Sequence, residues 1–299
     1  MNPLSIVAIL FILASTAYFY RRKMVTMGLA VTNIAVYIAS LIFPVIYEEL
    51  AFAPFHLLPQ YLPSHFYTIF TTMFLHSISD PLHLIMNVLV LIMIGITLER
   101  KMGAGKFLAT YLISGLIASA LWAVVNPLNH YAIGASGAIF GILGALGWLY
   151  PRERITIFLG FFIVPNVPAI FAVTIMGGLE VFYAAAGTGN VAHLAHVGGI
   201  LGGFVMAAII KSRQSGESRE RRRIAESLIS GKLRPLYELY EGQDIEGKNM
   251  LARAMDENIP EVRSAWLSQF ASKKPCPKCG EKLFEKEGEL RCRNGHAWR

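Results

Sequence analysis

Every lysine and arginine before residue 211 falls in one of three short segments, 21–24, 99–106 and 151–154. No other feature constrains the chain as much. Around these segments lie apolar runs at 3–20, 25–43, 82–98, 105–124, 136–150, 155–176 and 191–210. All are of spanning or near-spanning length for a hydrocarbon core of roughly 30 Å. With 54% hydrophobic and 16% charged residues, the chain is too apolar for an ordinary soluble domain. Threading seven spans in order puts the three basic segments and everything after residue 210 on one side. The opposite loops, 44–81, 125–135 and 177–190, contain no lysine or arginine. The positive-inside rule makes the basic side cytoplasmic. The first run has no basic residue before it and is followed by Arg21, Arg22 and Lys23, the reverse of a secretory signal peptide. It reads as a retained anchor with its N-terminus outside. The expectation is an all-α, multi-pass protein of the cell membrane with a cytoplasmic C-terminus.

The formal charge of +7 does not describe a uniformly basic protein, because nineteen of the 27 basic residues lie from Lys211 onward. It gives no support to nucleic-acid binding. In the polar remainder, 217–231 has helical spacing and a terminal glycine, and 260–271 opens with Pro260 at a first helical position. All three cysteines follow, in "CPKCG…RCRNGH". Cys276, Cys279, Cys292 and His296 form a C-x2-C-x12-C-x3-H pattern suited to tetrahedral zinc. Four protein ligands close the coordination shell, so the zinc is read as structural. The loop 44–81, rich in aromatics and proline, is expected to lie partly in the membrane interface.

The shortest run raises a chemical question. Residues 136–150 make about 22 Å of helix, less than the membrane core. Its inner end is pinned by "PRER", so Ser136, set in "GASG", must sit below the outer surface. The irregular backbone at 131–135 then dips into the membrane, where only burial in protein or a wet cavity makes it tolerable. Counted from each inner helix end, Ser136 stands about 21 Å up, His196 about 21 Å, His83 about 22 Å and Asn87 about 17 Å. Four polar side chains from three helices share one shallow layer.

Gly137, Gly141 and Ala145 form a small-xxx-small stripe, as do Gly199, Gly203 and Ala207. Helices packed on such faces approach closely enough to bring Ser136 and His196 together. Serine as nucleophile and histidine as general base is the natural reading. The N–H of Ser136 at a helix start is one oxyanion donor, and His83 and Asn87, spaced i, i+4, offer others. No carboxylate is read at this layer, so a dyad is expected. His193, one turn before His196, is read as outside the pair.

"GASGAIFG" (134–141), "AHVGGILGG" (195–203) and "HLIMN" (83–87) resemble the three signature motifs of the rhomboid intramembrane serine proteases, and "LERKMG" (98–103) resembles the turn after their second core helix. The resemblance implies a six-helix rhomboid core at 25–211, preceded by an extra transmembrane anchor at 1–24. It implies Ser136 as nucleophile, His196 as general base, His83 and Asn87 as the oxyanion-binding pair, and Gly134 in the loop that shapes that site. No cofactor is implied for catalysis. The implied partners are transmembrane protein substrates within the bilayer, and the family favours small residues at the cut. Two departures stand out: "HFYTIF" holds no Trp-Arg pair of the kind often found in the family's first outer loop, and His76 stands seven residues before His83, wider than is common.

The resulting expectation is an intramembrane endopeptidase core, a cytosolic helical linker at 212–272 and a zinc-ribbon-like module at 273–299 with a cytosolic partner of its own. One rival is a catalytically silent rhomboid-like protein that binds membrane clients, but it would have lost the serine or the histidine. The other is a transporter or proton path, which would carry embedded carboxylates.

Overall fold

Asn2 starts the first helix by accepting the Leu4 N–H at 3.0 Å, and Pro3 presets its first turn. The computed structural model describes residues 1–126, 130–159, 162–187, 192–239, 244–257 and 259–298. Side chains at 159, 214–215, 217–232 and 234 lie outside that description, as do the parts of the expected loops and runs at 127–129, 160–161 and 188–191. The described residues form two units, Met1–Lys211 and Ser212–Arg299.

In the first unit, α1 (Pro3–Arg21) and α2 (Val25–Ile42) are followed by the short helices α3 (Pro44–Leu50), α4 (Leu62–His65) and α5 (Thr68–Thr71). Then come α6 (Pro81–Met102), α7 (Ala104–Val125), α8 (Ser136–Leu149), an antiparallel hairpin of β1 (Arg154–Leu159) and β2 (Phe162–Pro168), α9 (Ala169–Ala186) and α10 (His193–Leu239). Among the described residues, six helices are long and apolar enough to cross a membrane, and α8 is a shorter apolar helix. The chain is a predominantly helical, multi-pass membrane protein.

One expected span is corrected. The run at 155–176 is not one helix but the hairpin followed by the start of α9. Pro165 and Pro168 lack the N–H a helix interior needs, Asn166 takes a φ of +64°, and the β-branched and aromatic residues before them suit a strand. Apolarity placed the run in the membrane class without specifying its backbone.

Helix α8 is central. Ten of its fourteen residues are buried, against three of nineteen in α1. Its glycines are packing surfaces: a Cβ on Gly199 would collide with the Gly137 carbonyl, one on Gly203 with the Gly141 carbonyl, and one on Gly141 with Ser114 of α7. Helices α7, α8 and α10 therefore meet backbone to backbone.

The turns sort onto two faces. Glu99 near the end of α6 accepts from the Val25 and Thr26 N–H groups at 2.7 and 2.8 Å, capping α2, and Lys101 pairs with Glu153 at 2.9 Å. These bonds gather the segments 21–24, 99–106 and 151–154. Elsewhere, the Asn2 N–H reaches Glu49 at 2.8 Å, and Ala132 pairs with Phe52. The segment 44–80 packs inward at Phe52, His56, Thr72, Phe74 and His76, all buried.

In the second unit, α11 (Ile245–Asp256) and α12 (Pro260–Lys273) precede a three-stranded sheet of β3 (Leu283–Lys286), β4 (Glu289–Cys292) and β5 (Ala297–Trp298) in the order β3-β4-β5. Leu251, Leu267 and Phe270 share one core with Leu283, Leu290 and Trp298. Gly231 does not end a helix, since α10 continues to Leu239.

Candidate active site

Ser136 is the first residue of α8, so its backbone N–H has no acceptor within the helix. Two residues earlier, Gly134 adopts a φ of +119°, which a side chain would strain. A Cβ there would lie 2.9 Å from Nε2 of His83 and 3.6 Å from Oγ of Ser136. Glycine at this position lets the imidazole approach the serine. The loop is held by protein: Ala132 donates its N–H to the Phe52 carbonyl at 2.7 Å, Gly134 donates to the Thr72 carbonyl at 3.0 Å, and the Thr72 hydroxyl donates to the Ala132 carbonyl. Irregular backbone is thus paired where it enters the bundle, as burial requires.

The approach of α8 and α10 brings His196 to the serine, with Nε2 2.7 Å from Oγ. Phe140, one turn further along α8, stacks on the imidazole at 4.5 Å and 20° and fixes its plane. His83 accepts the Ser77 N–H on Nδ1 at 3.3 Å, which puts its own proton on Nε2, facing Gly134. Asn87 donates from Nδ2 to the His83 carbonyl at 2.7 Å, and its buried Oδ1 has no partner among the described residues. Asn87 and Ser136 both line an apolar cavity of about 210 Å³, together with Val90, Met93, Phe140 and Met176. Ser136, His196, His83, Asn87 and Gly134 therefore all come together.

A carboxylate joins them, which corrects the expectation of none. Glu180 lies within α9, buried, with Oε2 2.6 Å from Nδ1 of His193 and 3.0 Å from Nδ1 of His196. The contact to His193 is a hydrogen bond; that to His196 is an ion-pair distance without hydrogen-bond alignment. Assigning 177–190 to a loop hid this residue. The signal was present, because Pro168 and Gly187 bracket a helix-length apolar stretch that contains it.

In the second unit, Sγ of Cys276 and Sγ of Cys292 lie 3.6 and 3.4 Å from Nδ1 of His296, and Sγ of Cys279 lies 3.7 Å from Sγ of Cys292. Tetrahedral zinc with Zn–S near 2.3 Å sets ligand-to-ligand edges of about 3.5–3.8 Å. The four residues fit such an ion. Gly280, just after Cys279, and Gly295, just before His296, turn the chain with φ of +74° and +81°.

A multi-pass helical bundle with a serine–histidine pair whose serine lines an apolar cavity defines a class of membrane-embedded proteins with the makings of a hydrolase site. The chain belongs to the rhomboid family: the model described as Rhomboid domain matches residues 63–213, just over half of the chain. Among similar proteins are Rhomboid protease GluP of Bacillus subtilis, 35% identical over 148 residues, which is 50% of this chain and 27% of the relative. Rhomboid protein 1, mitochondrial, of Saccharomyces cerevisiae is 33% identical over 150 residues, covering 44% and 40%. Rhomboid-like protease 3 of Toxoplasma gondii is 33% identical over 88 residues, covering 29% and 32%. The chain thus spans less than half the length of these relatives, and the C-terminal unit lies almost wholly outside the family match.

Proposed function

We propose that this protein is an intramembrane serine endopeptidase that cuts membrane-spanning segments of other proteins through Ser136 and His196. The observation that carries this reading is the 2.7 Å approach of Nε2 of His196 to Oγ of Ser136 at the start of a buried helix. With Nε2 unprotonated, His196 takes the hydroxyl proton as Oγ attacks the scissile carbonyl. The negative charge that develops on the carbonyl oxygen is met by the Ser136 N–H, Nε2–H of His83 and the second Nδ2 proton of Asn87. Each such donor contributes about 3–4 kcal/mol to the transition state. His196 then protonates the leaving amine, and water hydrolyses the acyl-enzyme with the same histidine as base.

The apolar cavity beside Ser136 suits a substrate side chain arriving from lipid, and the nucleophile's position suits a segment whose helix is already broken. The basic turns share a face, and by the positive-inside rule this supports a cytoplasmic position for that face and for the C-terminal unit, with the N-terminus outside. Cys276, Cys279, Cys292 and His296 would hold a structural zinc, which supplies folding energy to the C-terminal unit.

The test is cleavage of a purified membrane substrate with glycine or proline in its span, with the cut mapped by mass spectrometry. A cut inside the span that disappears in Ser136→Ala supports the proposal. Loss of about a hundred- to a thousandfold in turnover is expected for Asn87→Ala. A product unchanged in Ser136→Ala would overturn it.

A further inference from the structure

Glu180 is the single acidic residue between Glu153 and Glu217. A carboxylate in an apolar helix is costly unless paired, and it is retained where it has a task. Its pairing here is specific: one oxygen, Oε2, faces Nδ1 of both His193 and His196, which sit one turn apart at the start of α10. Tying α9 to α10 would need only His193, whose hydrogen bond at 2.6 Å is complete. The second approach, 3.0 Å from the histidine that also meets Ser136, is unexplained by a tie.

We propose that Glu180 is a positioning residue for His196 in the reaction proposed above, setting its tautomer and balancing the charge it gains. This rests on Ser136 and His196 being the reacting pair. If Nε2 of His196 accepts from Ser136, the imidazole proton must reside on Nδ1, the nitrogen that faces Glu180. Phe140 holds the ring plane that keeps both contacts. When Nε2 takes the serine proton, the ring becomes an imidazolium whose charge lies beside the carboxylate. The proton passes from Oγ to Nε2 and on to the leaving amine; Glu180 neither gains nor loses one. His193 donates to the same oxygen and ties α9 to α10, and the ring of Tyr183 lies 5.3 Å from that of His193. The small misalignment at His196 in the resting enzyme leaves the carboxylate free to tighten onto the imidazolium as charge develops.

The experiment uses the full chain in detergent. A fluorophosphonate probe reports the rate at which the serine is acylated, and a cleavable substrate gives kcat and KM. Glu180→Gln keeps the shape and removes the charge. We expect kcat and the labelling rate to fall together by ten- to a hundredfold, with KM within twofold, and Glu180→Asp to recover part of the loss. His193→Ala, which cuts the helix tie and leaves the carboxylate beside His196, should lose threefold or less. Wild-type labelling by Glu180→Gln, or an equal loss in His193→Ala, would overturn the assignment. Ser136→Ala separates the two layers: persistent labelling there sinks the reacting pair itself, whereas no labelling there with an unaffected Glu180→Gln sinks this inference alone.

Discussion

In the membrane unit, polar side chains are placed by backbone lying against backbone. In the C-terminal unit, they are placed by converging on one point. Ser136 and His196 meet because Gly137, Gly141, Gly199 and Gly203 remove everything that would hold α8 and α10 apart. No net hydrophobic force drives helices together in lipid, so close van der Waals packing has to do it. The C-terminal unit has a small core of residues such as Leu251, Leu267, Phe270 and Leu290, and four side chains gathered as a zinc site would be. So small a core needs a further source of stability. On the proposed reading, added volume at the helix contacts should disturb the membrane unit most, and loss of metal should disturb the C-terminal unit most.

Metal removal sharpens that contrast most. Structural zinc supplies about 10 kcal/mol or more of folding energy in small modules. Chelation should therefore expose the amides of β3 and β4 to hydrogen exchange and loosen α12, whose Leu267 and Phe270 share their core. Substrate turnover should stay within twofold. Loss of turnover with the membrane helices still protected would show that the two units are not separable in function.

The reverse perturbation is Gly203→Val. Its side chain would meet the Gly141 carbonyl and the Ala145 backbone nitrogen, neither of which can yield as a flexible side chain could. The cost should be about 3 kcal/mol or more, read as a lower unfolding midpoint of the membrane unit with unchanged metal content. A wild-type midpoint would refute the close packing.

Smaller effects test the ends of elements. Glu99→Gln weakens three bonds to the start of α2, from the Val25 N–H, the Thr26 N–H and the Thr26 hydroxyl, and should cost about 2 kcal/mol. Asp244 caps α11 through the Gly247 N–H at 3.1 Å and pairs with Lys274 at 2.7 Å. Lys274, and then the Gly247 N–H, hold its carboxyl below the ordinary 3.8. A depressed folded value means that the stabilisation is present above the ordinary value and is lost as pH falls through the folded one. Asp244→Ala should cost about 1 kcal/mol at neutral pH and progressively less in acid. An unchanged difference down to pH 2 would deny the carboxylate its part.

Much of the site is legible in the chain because the same residues carry packing and chemistry. The small-residue stripes announce which helix faces meet, and helix rise sets the depth of Ser136, His196, His83 and Asn87. Other parts are not legible by that route. Apolarity measures partition into lipid and is blind to backbone, so the hairpin at 154–168 passes for a helix unless Pro165 and Pro168 are weighed. Glu180 is missed because a carboxylate lowers the apolar average and pushes the span boundary away from itself, although Pro168 and Gly187 mark the true ends. The short helix α11 has a capping aspartate but only twelve residues, and Gly231 looks like a stop signal in a helix that runs on to Leu239.

The central claim is that Ser136 is the nucleophile and His196 activates it. The most direct measurement is labelling of the full chain by a fluorophosphonate, followed by digestion and identification of the modified residue by mass spectrometry. The probe adduct should sit on Ser136 and nowhere else, be absent in Ser136→Ala, and form at least a hundredfold more slowly in His196→Ala. An adduct on another serine, or an undiminished rate without His196, would contradict it.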